Sequence, residues 1–109
     1  MNYLYKITVE VDDDKIIRFE QHDINAVYNT IRSIFADCEF TEQEPEGETL
    51  VFTIGNFKDS FSDACLAIDV LNDCWLGKYL KKIMWYDTSD ESVEDVFEEL
   101  KEFEAKYGG

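Results

Sequence analysis

The chain has 109 residues, is 45% hydrophobic and 15% aromatic, and sets 25 acidic against 10 basic side chains for a formal charge of −15. That much apolar content excludes a disordered acidic tail, and the charge excludes direct binding to nucleic acid or to an anionic membrane, both of which need a basic footprint. No apolar run is long enough to span a bilayer and no basic-plus-apolar leader is present; Cys38, Cys65 and Cys74 are odd in number and lack CxxC spacing, so the reading is one domain over residues 1–109 with free thiols in a reducing cytoplasm.

Tyr3, Tyr5, Ile7, Val9 and Val11 alternate with Leu4, Lys6, Thr8 and Glu10, the period of a half-buried strand. Asp12-Asp13-Asp14 then predicts a turn and Lys15–Glu20 a returning strand, so residues 3–20 are expected to form a hairpin. A calcium loop over the three aspartates is rejected, because Ile16 and Ile17 stand where such a loop needs a ligand and its glycine. Asp23 is placed to cap a helix reaching Cys38, with Ile24, Val27, Tyr28, Ile31, Ile34 and Phe35 on its apolar face. His22, the only histidine, has no neighbouring Cys or Ser nucleophile to activate.

Glu39–Gln43 reads as a short strand, Pro45-Glu46-Gly47 as a turn, and Glu48–Gly55 as the second strand of this hairpin. Glu39, Glu42, Glu44, Glu46 and Glu48 make it an acidic patch that would guard a sheet edge against pairing with other chains. Phe57, Phe61, Ala64, Cys65, Ile68 and Leu71, flanked by Leu66 and Val70, predict a well-buried helix ending near Asn72–Gly77. Tyr79–Tyr86 reads as a strand, with Leu80, Lys82 and Met84 on one face and Tyr79, Lys81, Ile83 and Trp85 on the other. Lys78, Lys81 and Lys82 form the only basic cluster. They are expected to neutralise the nearby acidic C-terminal helix across the fold or, with Trp75, Tyr79, Trp85 and Tyr86, to form a contact patch.

After a linker at Asp87–Asp90, residues 90–107 predict an acidic amphipathic helix. Val93, Val96, Phe97, Leu100, Phe103 and Tyr107 recur at spacings of three and four, opposite Glu94, Asp95, Glu98, Glu99 and Glu102. Ser92 and Asp95 fit a capping box, and Lys106 and Gly108 fit the helix end. Five like-charge pairs on the acidic face cost about 1–2.5 kcal/mol together. Burial of Phe97, Leu100 and Phe103 returns about 1.5–3 kcal/mol each, so the helix is expected only if its stripe docks.

These elements run β-β-α-β-β-α-β-α and predict an α+β domain with a mostly antiparallel five-stranded sheet and helices largely on one face. Residues 15–86 read β-α-β-β-α-β, the ferredoxin-like order, with a β-grasp arrangement of residues 1–55 as the alternative.

No phosphate-binding glycine loop, zinc spacing or catalytic triad is present, so neither an enzyme, a cofactor nor a metal is predicted. The ββα start and terminal Gly108-Gly109 are similar to a ubiquitin-like modifier, but capping of the preceding helix explains Gly108. In size, charge and aromatic-rich core, though without a family motif, the chain resembles the small acidic DNA-mimic proteins of phages and mobile elements, such as anti-CRISPR and anti-restriction proteins, and the acidic immunity proteins of nuclease toxins. That resemblance implies an inhibitor of a basic nucleic-acid-binding protein, with Glu94, Asp95, Glu98, Glu99, Glu102, Glu42, Glu44 and Glu46 as the partner-binding residues. Residues 90–107 carry eight carboxylates and two lysines. Six net charges over a helix of ~27 Å give one per ~4.5 Å, against one per ~1.7 Å in duplex DNA, so a mimic needs a second acidic surface. The alternative is a cytosolic adaptor that binds through Trp75–Tyr86 and is acidic for solubility alone.

Overall fold

The computed structural model describes residues 3–19, 23–47, 49–55, 59–73 and 79–96. Its elements are β1 (Tyr5–Val11), α1 (Asp13–Phe19), α2 (Ile24–Asp37), β2 (Thr41–Glu46), β3 (Thr49–Ile54), α3 (Ser60–Asp73), β4 (Leu80–Asp87) and β5 (Ser92–Asp95). The strands lie in the order β2-β3-β1-β4-β5 and every neighbouring pair is antiparallel. The expected α+β class with a five-stranded antiparallel sheet is the class observed.

The element order differs from the expectation at both ends. Residues 13–19 form a helix, not a returning strand. The Asp12 carboxylate accepts a hydrogen bond from the Lys15 amide at 3.2 Å, so the three aspartates start a helix. Asp13 and Asp14 lie in its first turn and Arg18 in its last, each sign matching the helix dipole. Only one isoleucine is buried: Ile16 is 2% exposed and Ile17 65%. At the other end, residues 88–91 turn and Ser92–Asp95 form β5, where the helix over 90–107 was expected to begin. Pairing of Ser92, Val93, Glu94 and Asp95 with Asp87, Tyr86, Trp85 and Met84 satisfies their backbone in the sheet and overrides the helical spacing. Val96 is buried beyond the strand, and the rest of the predicted helix lies outside the described residues.

With β1 as the first strand, the sequence β1-α1α2-β2-β3-α3-β4 takes the split βαβ order, β1 lying between β3 and β4. The ferredoxin-like order is present, but its first strand is Tyr5–Val11; the expected first strand from Lys15 is helix α1 as far as Phe19, and β5 is an added edge strand.

Side-chain parity sorts the sheet into two faces. Tyr5, Ile7 and Val9 stand beside Ile54, Phe52 and Leu50 of β3 and beside Asp87, Trp85 and Ile83 of β4. The apolar members share one core cluster with Ile16 of α1, Val27, Ile31 and Phe35 of α2, and Ala64, Ala67, Ile68 and Leu71 of α3. Phe35 stacks on Phe52 with ring centres 4.1 Å apart. All three helices among the described residues thus cover one face. A register shift between Glu10 and Val11 pairs Val11 with Leu80, which lets both Leu80 and Ile83 reach the core despite their spacing of three.

Helix α2 follows the expectation: Asp23 caps it, accepting from the Asn25 amide at 2.7 Å. Helix α3 reaches Asp73, within the predicted end at Asn72–Gly77, with Phe57 outside the described residues, and it is less buried than predicted. Its core stripe is Ala64, Ala67, Ile68 and Leu71, while Phe61 is 61% exposed and Leu66 53%.

Candidate interaction surface

The predicted acidic residues fall on the two edges of the sheet. Glu42, Glu44 and Glu46 lie on β2, and Glu94 and Asp95 on β5. Four strand spacings of ~4.8 Å separate the edges, about 19 Å, so Glu94 and Asp95 stand apart from the β2 acids. Glu98, Glu99 and Glu102 lie outside the described residues, as do Trp75, Lys78, His22 and Cys74.

On β2, Glu42 and Glu46 each have a cation nearby, whereas Glu44 has no ion pair among the described residues. Glu42, opposite Phe52, points to the helix face and accepts from Arg32 Nε of α2 at 3.0 Å. The register shift between Gln43 and Glu46, with Pro45 inside it, re-aims the strand, and Glu46 approaches Lys6 of β1 at 3.9 Å. Every residue of β2 is exposed, so this charged, Pro-containing strand is a protected edge. Lys81, expected to serve the C-terminal acids, pairs instead with Glu10 at 3.7 Å, and Lys6 lies 4.5 Å over the Tyr86 ring.

The β4–β5 hairpin is arranged differently. Asp87, Asp90, Glu91, Glu94 and Asp95 fall within nine residues. Asp87 accepts from the Ser89 amide at 2.9 Å and hydroxyl at 2.6 Å, and Asp90 from the Ser92 amide at 2.9 Å, so two Asx turns shape the connection. The amide and hydroxyl of Thr88 both donate to the Leu4 carbonyl, at 3.0 and 2.9 Å, tying the turn to the start of β1. Glu91 sits at φ 58°, a left-handed conformation that glycine or asparagine adopts more readily. Bonding to Ser92 holds the Asp90 carboxyl below the usual carboxylate range. None of Asp87, Asp90, Glu91 and Glu94 has an ion-pair partner among the described residues.

Beside this hairpin, on the helix-covered side, an aromatic group reaches the surface. Trp85 meets Tyr5 edge-on at 5.2 Å, and Phe61 of α3 lies 5.7 Å from Trp85. Phe61, Trp85, Asp87, Ser92 and Glu94 line a cleft of about 240 Å³. Burial and then the Asp87 charge push the Tyr5 hydroxyl above its ordinary pKa, with smaller contributions from Cys65 and Asp90, so the field here is negative. Phe61 was missed as a surface residue because its spacing with Ala64, Ile68 and Leu71 matches a core stripe. The juxtaposition of Trp85 with Glu94 depends on the β4–β5 register, which no local signal in the sequence announces.

Among the described residues no group of His, Cys, Asp and Glu side chains is arranged to hold a metal, and no helix is long and apolar enough to cross a membrane. Cys38 and Cys65 are free thiols, each pushed above its ordinary pKa chiefly by burial, which disfavours the thiolate. No protein-family model and no curated protein matches the chain.

Proposed function

We propose that this protein is a non-enzymatic, cytoplasmic binding protein that covers the basic surface of a nucleic-acid-binding protein, its carboxylates standing where phosphates would. The observation that carries this reading is the β4–β5 hairpin. It fixes Asp87, Asp90, Glu91 and Glu94 on an ordered edge without supplying a cation to any of them among the described residues. A net charge of −15 exceeds the magnitude of about 2–8 that suffices for solubility of a small domain, and it destabilises the folded state by self-repulsion. A cationic partner would relieve that repulsion. The phage or mobile-element inhibitor class, anti-CRISPR or anti-restriction, and the nuclease immunity proteins are the activities this chemistry suits.

The test is capture from an extract of the host on the immobilised protein, with elution by rising salt and competition by duplex DNA. The expected result is a basic nucleic-acid-binding protein that elutes steeply with salt and is displaced by DNA, because both ligands use the same cations. Capture that resists salt and is indifferent to DNA would support the second reading, an adaptor contact through aromatic groups. Trp85 and the exposed Phe61 are the observation that favours that reading.

A further inference from the structure

We propose that the cleft between α3 and the β4–β5 hairpin receives a single arginine side chain of a basic protein partner. This rests on the acidic-surface reading above and specifies its central contact. At about 240 Å³ the cleft falls below the ~300–1,000 Å³ of small-molecule and cofactor sites, so it is sized for one side chain. Its walls are aromatic, and its rim carries Glu94 and Asp87. An aromatic face attracts a cation, and a guanidinium adds planar stacking that an ammonium lacks. Glu94 stands directly across the ladder from Trp85, so a guanidinium on the indole would meet a carboxylate able to accept two parallel hydrogen bonds. Asp87 spends one oxygen on Ser89, and a carboxylate retains lone pairs for a further donor.

The cations placed by ion pairs lie elsewhere. Lys6 is on the opposite face of the sheet, Arg32 is bonded to Glu42 at the β2 edge, and Lys81 pairs with Glu10. A second copy of this chain is a poor occupant, since two bodies of charge −15 repel. The cleft also accounts for an exposed Phe61: the ring is held beside Trp85 and Tyr5 without being covered.

The experiment is an NMR titration of the full chain with N-acetyl-arginine amide, read at the Trp85 indole N–H, whose signal is assigned from its loss in Trp85→Phe. N-acetyl-citrulline amide, of the same shape without the charge, is the control. The expected result is a saturable shift with arginine and none with citrulline. Glu94→Gln should weaken arginine about two- to fivefold, the worth of an exposed ion pair. Phe61→Ala should weaken it by a similar factor through loss of the aromatic wall, with the thermal melt unchanged because the ring is exposed. No saturable shift, or an equal shift with citrulline, overturns the proposal. DNA-competed capture that survives in Glu94→Gln and Phe61→Ala, together with a failed titration, removes the cleft and leaves the acidic-surface reading standing. Arginine binding without DNA-competed capture removes that reading instead.

Discussion

The two edges of the sheet carry similar numbers of carboxylates and treat them differently. At β2, Glu42 is bonded to Arg32 and Glu46 lies near Lys6, the turn uses Gly47 at φ 65°, and Pro45 and a register shift blunt the edge. At β5, Glu94 has no cation among the described residues, and the turn holds Glu91 at φ 58° where a glycine would be unstrained. The first edge is built as a stable boundary. The second leaves Asp87, Asp90, Glu91 and Glu94 without a cation among the described residues, while left-handed non-glycine backbone occurs beside both edges, at Glu39 (φ 67°) before β2 and at Glu91 (φ 58°) before β5. The difference teaches that carboxylate number, all that composition records, is a weaker guide than whether the fold provides each acid with a counter-charge.

The comparison assumes that both edges hang on one packed sheet. Phe52, 1% exposed and stacked on Phe35, is the link between β3 and the helices. Phe52→Ala should cost about 3–5 kcal/mol in a denaturant melt. Amide exchange should accelerate at β2 and β5 together; faster exchange at β2 alone would show that the edges are held independently.

The turns offer the next largest effect. A left-handed non-glycine residue costs about 1–2 kcal/mol, and glycine itself costs roughly 0.5–1 kcal/mol of chain entropy. Glu91→Gly should therefore stabilise the fold by about 0.5–1 kcal/mol, and Gly47→Ala should destabilise it by a similar amount. A Cβ at Gly47 meets nothing within 4 Å, so that cost is purely backbone. If Glu91→Gly leaves the melt unmoved, the strain at the β4–β5 turn is not real.

Charge removal separates the edges more finely. Glu42→Gln should lose up to about 1 kcal/mol with the Arg32 pair, whereas Glu94→Gln should be neutral or slightly stabilising because it removes only repulsion. Equal losses at both positions would mean that Glu94 has a counter-charge and would erase the contrast.

Much of the fold was legible in the sequence because several elements announce themselves locally. Asp23 sits one residue before the apolar stripe of α2, and β1 alternates cleanly. Helix α1 was misread because three aspartates mark a turn and a helix start equally well, and the two isoleucines that follow decide nothing until Ile16 finds the core. Strand β5 was misread for another reason. Val93 and Val96 fit the helical spacing of the residues beyond them, while the ladder to β4 that makes the strand is a tertiary fact. The candidate site suffered the same way. Its carboxylates were visible, but their separation onto opposite edges, the neutralisation of Glu42 and the meeting of Phe61, Trp85 and Glu94 all depend on register.

The smallest effect concerns how long the β4–β5 hairpin stays charged as pH falls. The Ser92 hydrogen bonds favour the ionised Asp90, so its folded pKa lies below its unfolded value. With that sign, its contribution to stability is present above the unfolded pKa and fades as pH falls through the folded one, below the ordinary aspartate value of about 3.9. Carboxyl-carbon NMR should show Asp90 titrating below an ordinary aspartate, and Ser92→Ala should move the midpoint back up. The backbone amide of residue 92 remains a donor in that variant, so the return should be partial. A midpoint indifferent to Ser92→Ala would mean that the hydroxyl takes no part in holding Asp90 ionised, leaving the amide bond alone to do so.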